Sequence, residues 1–140
     1  MRMSGTPNPQ TVGAAMYAVD GASQGLGIKL EAIELGYAKM SMRVRADMLN
    51  GHKICHGGFI FTFADSTFAF ACNSYNHITV AAGASIEFLA PAHLDDVLTA
   101  GAREQSLSGR TGFYDVTVTS QRGERIALFR GRAQRVKGEI

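Results

Sequence analysis

Apolar and polar side chains alternate with a period of two along most of the chain after residue 27, which predicts half-buried β-strands. The first such segment, residues 28–45, turns at Gly36 and predicts a hairpin. Further strands are predicted at residues 77–89, 97–106, 113–119 and 126–136, the last three forming an antiparallel meander. Within the hairpin, the inward-facing positions are expected to be Ile28, Leu30, Ala32, Ala38, Met40, Met42 and Val44.

One stretch interrupts the alternation. Residues 57–74, GGFIFTFADSTFAFACNS, are apolar nearly all round and carry a single charged residue, Asp65. A segment of this length and character is typical of a helix buried inside a protein. An unpaired carboxylate buried there would cost several kcal/mol. Asp65 therefore serves chemistry, faces a water-filled gap, or pairs with an arginine on a neighbouring strand.

The N-terminal region is expected to form a loose polar tail at residues 1–9 and a short helix at residues 11–22 capped by Thr11. Glycines at positions 21, 25 and 27 match the phosphate loop of short-chain dehydrogenases, with residues 14–19 as the preceding strand. The chain lacks that family's Tyr followed four residues later by Lys and is too short for its fold, so this match is set aside. We therefore predict a tail with a short helix at residues 1–24 and one domain at residues 25–140.

The composition of the chain argues against nucleic-acid binding, a disulfide framework and a membrane segment. A net charge of +2 over 140 residues gives no case for nucleic-acid binding. Residues 122–137 are basic, but an RNA-binding role needs aromatic residues among the cations, and only Phe129 lies there. Cys55 and Cys72 form no disulfide framework and the N-terminus resembles no signal peptide, which together predict a cytoplasmic location. The apolar stretch is too short to span a bilayer, so no membrane segment is predicted.

These elements predict an α+β architecture. A helix that is apolar nearly all round needs a strongly curved antiparallel sheet wrapped round it. The sheet edges and the helix end that remain uncovered need a partner chain. The low charged fraction, 19% of residues, also favours association between identical chains.

The loop at residues 48–58, MLNGHKICHGG, and the following Phe- and Ala-rich helix with Asp65 resemble the hotdog-fold acyl-CoA thioesterases, especially the PaaI type of phenylacetate degradation. The similarity continues through IEFLAP, GFYDV and ALFRG and covers about residues 25–138. It implies a hotdog fold, a curved antiparallel sheet round one long central helix. It also implies hydrolysis of phenylacetyl-CoA or a ring-hydroxylated aryl-acyl-CoA. The expected assembly is a homodimer with active sites at the subunit interface, paired into a homotetramer, without metal or bound cofactor.

The resemblance makes Asp65 the catalytic carboxylate, acting as a nucleophile or as a base for water. The Gly57 amide, an unpaired donor at a helix N-terminus, would polarise the thioester carbonyl. Eight residues separate Gly57 from Asp65, which is about 12 Å along a helix. Because that span is too long for both groups to reach one carbonyl, we predict that two antiparallel helices share each site across a two-fold axis.

Asn50 and His56 are implied as further catalytic residues. Asn50 would hydrogen-bond the thioester or orient the attacking group, and His56 would donate to Asn50 or to the substrate. From the residues alone, Asn50 is equally a turn residue and His56 a packed loop residue. His52 and His56 lie in a loop without an acidic partner in motif spacing, so no metal site is predicted. Cys55 lacks a third orienting group and is not predicted to be a nucleophile.

Coenzyme A carries phosphate groups and therefore needs cations on the protein. Some relatives carry a hydroxyl one turn after the carboxylate, where this chain has Ala69. The residue that holds the water is therefore unassigned, with Ser66 and Thr67 nearer to Asp65.

Two alternative functions stay open. One is a non-catalytic acyl-CoA-binding module that does not need Asp65, and the other is a thioesterase for medium or long fatty acyl-CoA. The resemblance places binding of the substrate and CoA at Phe88, Ser108, Gly109, Arg110, Thr111 and Arg135, although the basic residues also fit a solvated sheet face.

Overall fold

The computed structural model describes residues 8–140. Within this range, none of the helices is long and apolar enough to cross a membrane. A 3-10 turn at Ala46–Met48 lies in the loop before the longest helix. The regular elements are α1 (Pro9–Val19), α2 (Gly21–Gly25), β1 (Lys29–Glu34), β2 (Tyr37–Arg43), α3 (Gly57–Asn73), β3 (Thr79–Phe88), β4 (Val97–Ser108), β5 (Thr111–Thr119) and β6 (Arg125–Arg135).

The six strands form one antiparallel sheet in the order β1-β2-β4-β5-β6-β3. The predicted hairpin is β1–β2 and the predicted meander is β4–β5–β6, so both predictions are confirmed. The connection from β2 to β3 runs through α3, and β3 returns at the opposite edge, paired with β6. Because α3 contacts every strand, the sheet curls round it.

The core lies between α3 and the inner face of the sheet. Ile60, Ala64, Phe68 and Ala71 recur at helical spacing and are buried. Full burial of a side chain such as Phe68 contributes about 1.5–3 kcal/mol. The closest approach is at Gly131 of β6, where a Cβ would lie 2.6 Å from the Phe68 ring, so a larger residue would push the helix off the sheet. The antiparallel sheet curled round one long central helix confirms the predicted hotdog fold.

The inward face of β1 differs from the prediction. On β2, Ala38, Met40 and Met42 are buried as expected, but on β1 Ile33 is buried and Ala32 is exposed. The pairing register shifts between Leu30 and Ala32, which leaves one extra residue on β1. A bulge of this kind reverses the alternation beyond it, because the side-chain period of a strand is two residues.

The N-terminal prediction was wrong in detail. Residues 1–7 of the expected tail lie outside the described residues, but α1 already begins at Pro9, with Asn8 as its cap. The Asn8 Oδ1 accepts a hydrogen bond from the Thr11 amide at 2.8 Å, so Thr11 lies inside the helix instead of capping it. Residues 14–19 are helical, not a strand, and the glycine motif belongs to α2 and the turn after it. The domain boundary at residues 24 and 25 stays a prediction.

Among residues 8–140, no strand pairs with the outer side of the edge strand β3. Its residues 80–85, VAAGAS, carry no charge. Val80 is 47% exposed and Phe88 is 53% exposed, although both are apolar. An exposed, uncharged edge is a ready template for pairing with another strand.

Candidate active site

One side of α3 is left uncovered by the sheet. It consists of Gly58, Thr62, Asp65 and Ala69, which recur at intervals of four, three and four residues and are all partly or fully exposed. We call these four residues the open stripe. Asp65 lies near the middle of this stripe, so the single charge of the apolar helix faces outward from the single chain.

The Asp65 carboxylate has no partner in the part of the chain that the structure describes. Neither a hydrogen bond nor an ion pair reaches it from residues 8–140, so the alternative of an arginine pair is not observed there. Partial burial raises the pKa of the Asp65 carboxyl above its ordinary value of 3.8. A raised pKa without a compensating partner is typical of a carboxyl that takes part in chemistry.

The N-terminus of α3 presents a free amide. His56 is its cap, and the His56 Nδ1 accepts a hydrogen bond from the Gly58 amide at 2.9 Å. The Gly57 N–H donates to no group among the described residues. Because its Nδ1 accepts, a neutral His56 carries its proton on Nε2. The hydrogen bond from His56 to Asn50 that the resemblance suggested is not formed.

A groove of about 460 Å³ adjoins this helix end. Asn50 and Phe88 line it together with Gly57. A Cβ at position 57 would lie 2.9 Å from the Phe88 ring, so glycine is what allows this contact. The other lining residues are Ile54, Cys55, Ile60, Leu89, Ala90 and Pro91.

Asn50 has the turn role that its sequence context indicated. Its Oδ1 accepts a hydrogen bond from the His52 amide at 2.9 Å and a longer one from Ile54 at 3.4 Å. The Asn50 Nδ2 makes no hydrogen bond within residues 8–140. The turn therefore fixes the side chain and leaves its donor available in the groove.

Apart from Phe88, the residues predicted to bind the substrate and coenzyme A lie at the other end of α3. Ser108 ends β4, Thr111 begins β5, and Gly109 and Arg110 form the turn between them. The Arg135 amide donates to the Arg110 carbonyl at 2.7 Å, and Arg135 pairs across the sheet with Thr79. The Thr79 backbone forms two hydrogen bonds with the side chain of Asn73, the last residue of α3.

The predicted site residues therefore form two groups that do not converge in one chain. Asn50, His56, Gly57 and Phe88 lie at the N-terminal end of α3, and the turn at residues 108–111 lies with Arg135 at the C-terminal end. The 17 residues of α3 separate these ends by about 24 Å at 1.5 Å per residue. Asp65 lies between the two groups.

Each hydroxyl near Asp65 is already engaged. The Thr67 Oγ1 donates to the Phe63 carbonyl and is buried, which removes Thr67 as a holder of water. The Thr62 Oγ1 donates to the Gly58 carbonyl. The Ser66 Oγ lies 2.9 Å from the Ser23 Oγ of α2. Sequence reasoning missed Ser23, since 43 residues separate these serines and no pattern connects them.

Neither cysteine is activated. Burial raises the pKa of the Cys55 thiol to about 11 and that of Cys72 to about 12. Among residues 8–140, no group of three or more His, Cys, Asp or Glu side chains is placed to hold a metal ion. The Asp65 carboxylate and the Gly57 amide at the N-terminus of α3 are the groups that these contacts leave available.

Known proteins resemble the chain in both sequence and structure. The family model Thioesterase superfamily matches residues 52–127. Acyl-coenzyme A thioesterase PaaI from Escherichia coli K12 is 43% identical over 126 residues, which is 90% of each chain. The solved structure of the E. coli PaaI protein from the phenylacetic acid degradation operon matches with a TM-score of 0.93 and 41% identity, covering 94% of this chain and 96% of that one. A Streptococcus mutans protein bound to acetyl-CoA matches with a TM-score of 0.78 and 26% identity, covering 81% and 91%.

The family model spans more than half of the chain, and E. coli PaaI aligns with nine-tenths of it. These matches confirm the resemblance that the loop before α3 and the Asp65 helix indicated. They also set aside the alternative of a non-catalytic binding module. The chain belongs to the thioesterase superfamily and is a thioester hydrolase with the hotdog fold of the PaaI type.

Proposed function

We propose that this enzyme hydrolyses acyl-CoA thioesters, with phenylacetyl-CoA or a ring-hydroxylated aryl-acyl-CoA as substrate. The observation that carries the proposal is the Asp65 carboxylate, partnerless within residues 8–140 and placed on the open stripe of the central helix. The names of relatives support the substrate class, since E. coli PaaI is an acyl-CoA thioesterase and the S. mutans protein binds acetyl-CoA.

In the proposed mechanism, the Gly57 amide donates to the thioester carbonyl and stabilises the oxyanion that forms there. In one route, Asp65 attacks the carbonyl carbon, the C–S bond breaks to release the CoA thiolate, and water then hydrolyses the mixed anhydride. In the other route, Asp65 takes a proton from water as the water oxygen attacks and passes that proton to the leaving thiolate. Both routes return the free acid, CoA and an ionised Asp65.

Two chains are needed to complete this site. Within one helix, the Gly57 amide and Asp65 are about 12 Å apart. The uncharged edge of β3 supports antiparallel pairing with β3 of a second chain. A two-fold axis there would set Gly57 of one chain against Asp65 of the other, and the same symmetry would join the two groups of binding residues at opposite ends of α3. The proposed assembly is a homodimer, paired into a homotetramer.

Arg110 and Arg135 are the proposed cations for the CoA phosphates. Arg110 is exposed in the β4–β5 turn, and Arg135 lies over the Tyr75 ring at 5.0 Å. The turn residues Ser108, Gly109 and Thr111 would present backbone groups to the pantetheine arm. Phe88 and the apolar groove beside Gly57 would contact the thioester end. A cytoplasmic location belongs to the proposal and agrees with the two free, buried cysteines.

Thiol release from phenylacetyl-CoA tests the proposal directly. Wild type should be active, and Asp65→Ala should lose nearly all turnover while keeping its fold and oligomer. Asp95→Ala is the matched control, because it removes an exposed carboxylate whose side-chain partner within residues 8–140 is Arg43. Unchanged turnover in Asp65→Ala would contradict the catalytic role. A wild type that prefers decanoyl-CoA to phenylacetyl-CoA would contradict the aryl substrate and favour the fatty acyl alternative.

Subunit complementation tests the shared site. Asp65→Ala and Gly57→Pro chains, each inactive alone, are mixed, unfolded and refolded together. If the two groups act across the interface, half of the dimers are mixed and each keeps one intact site, so about a quarter of wild-type activity should return. Either variant refolded alone is the control. Absence of recovery in demonstrated mixed dimers would place both groups in one chain.

A further inference from the structure

The two N-terminal helices contact α3 on a face next to the open stripe. The Tyr17 and Phe70 rings lie 6.5 Å apart, and Ser23 meets Ser66 one turn earlier on α3. Ser66 and Phe70 are four residues apart and so share one helix face. Asp65 and Ala69 precede them by one residue each, which turns them about 100° round the helix. The N-terminal helices therefore hold α3 at the level of its carboxylate.

The contact at Ser23 is a partly buried chain of hydrogen bonds that ends on the Asp20 carboxylate. Ser23 is 0% exposed. The Asp20 Oδ1 accepts from the Ser23 amide at 2.9 Å, and the Asp20 Oδ2 accepts from the Ser23 hydroxyl at 2.6 Å. Because an ionised carboxylate can only accept, the single Ser23 hydroxyl proton is committed to Asp20. Ser66 must then donate its own hydroxyl proton to Ser23 across the 2.9 Å contact.

We propose that Ser23 is a positioning residue for the thioesterase reaction: held by Asp20, it bonds Ser66 and fixes the rotation of the α3 turn that carries Asp65. This inference rests on the proposed catalytic role of Asp65. The backbone of α3 connects Ser66 directly to Asp65, so a rotation that Ser66 permits is passed to the carboxylate. A displacement of about 1 Å in a reacting group can cost up to a hundredfold in rate.

The start of α1 repeats the arrangement at the start of α2, which supplies a matched control. Asn8 caps α1, and the Thr11 Oγ1 donates to the Asn8 Oδ1 at 2.8 Å, as Ser23 donates to Asp20. Thr11 is exposed, however, and its hydroxyl makes no bond to α3 among the described residues. Thr11→Ala and Ser23→Ala therefore remove equivalent hydroxyls, and both leave the backbone bond to the cap in place.

Steady-state kinetics on the full chain separate positioning from plain stabilisation. We expect Ser23→Ala to lower kcat about tenfold with KM within about twofold of wild type, because orientation is lost and substrate binding is not. Thr11→Ala should stay within about twofold in both parameters. Ser66→Ala should match Ser23→Ala, and the double variant should be no worse than either single one, since both remove the same bond.

Hydrogen exchange supplies a readout that does not depend on activity. Ser23→Ala should speed exchange of the α3 amides just after Asp65, and Thr11→Ala should leave them unchanged. Equal losses of kcat in Ser23→Ala and Thr11→Ala, or wild-type kcat and exchange in Ser23→Ala, would overturn the inference. If Asp65→Ala retains turnover, the proposed function fails instead, and exchange still decides whether Ser23 restrains α3.

Discussion

Asp96 and Asp65 differ in their hydrogen-bond partners, and the pKa values of their carboxyls are shifted in opposite directions. Asp96 is 4% exposed and accepts hydrogen bonds from the Arg122 guanidinium, the Gln121 amide and the His93 backbone. The hydrogen bond from Arg122 is the main reason why the pKa of the Asp96 carboxyl lies far below its ordinary range. Asp65 is less deeply buried and, within residues 8–140, has no such partners, so burial alone moves its pKa upward.

The difference lies in the partners of the two carboxylates more than in their depth, and it supports a structural role for Asp96 and the proposed catalytic role for Asp65. Asp96 joins the loop before β4 to the turn between β5 and β6, so its charge contributes to the fold. Asp65 contributes no ion pair or hydrogen bond within the described chain, which agrees with the catalytic role proposed for it. Asp96 thus has the arginine partner that was considered for Asp65, although this arginine lies in a turn and not on a strand.

Asp65→Asn should give the largest fall in kcat. It keeps the shape of the side chain but removes the nucleophile and base, so we expect kcat to fall by about 10²–10⁴. Thermal unfolding should occur at the same or a higher temperature, since the substitution removes a poorly solvated charge. Loss of folded protein in this variant would mean that Asp65 is structural, as Asp96 is.

Gly57→Pro should give the second-largest fall in kcat. Proline is well tolerated at the first position of a helix, and the extended backbone of His56, with ψ of 133°, suits a following proline. It removes the proposed oxyanion donor, so kcat should fall by about 10²–10³. Gly57→Ala is the control, because its Cβ meets the same Phe88 ring but keeps the N–H. Equal losses in the two variants would assign the effect to crowding.

Asp96→Ala should affect stability and spare kcat. It leaves the His93 amide without its acceptor and removes the bonds from Gln121 and Arg122, which should cost about 2 kcal/mol of unfolding free energy. Denaturant unfolding monitored by circular dichroism measures this loss. A fall in kcat at temperatures where the variant stays folded would contradict the division of roles between the two aspartates.

The dependence of stability on pH should have opposite signs at the two sites. Asp65 has a raised folded pKa, so its charge destabilises at neutral pH, and Asp65→Asn should lose its advantage over wild type as the pH falls towards 3.8. Asp96 has a lowered folded pKa, so its stabilisation is present above 3.8 and is lost as the pH falls further. Thermal unfolding of wild type, Asp65→Asn and Asp96→Asn between pH 3 and 7 tests both signs. The acid limb of kcat should lie above pH 3.8 for the same reason.

Local patterns predicted most of the fold. The alternation at Ala38, Met40 and Met42 and the apolar run of α3 placed the hairpin and central helix correctly, because each reports the burial of one element. The bulge in β1 was not predictable, since no glycine or turn residue marks it. Asp65 was found because it is the one charge in its stretch.

Contacts between distant segments were beyond sequence reasoning. Asp96 and Arg122 are 26 residues apart, and Ser23 and Ser66 are 43 apart. The glycines around Ser23 suggested a phosphate loop, whereas the structure uses the segment to support α3. Serine is common in loops and caps, so its spacing alone carries no information about such a partner.

The uncharged edge of β3 has a consequence for how the enzyme responds to its own abundance. If each active site draws Gly57 from one chain and Asp65 from another, a separated chain has no complete site. At chain concentrations below the dissociation constant of the dimer, the rate would then rise with the square of the amount of protein. Specific activity would fall on dilution and recover on concentration, so cellular expression level would set the turnover of each molecule as well as the number of molecules.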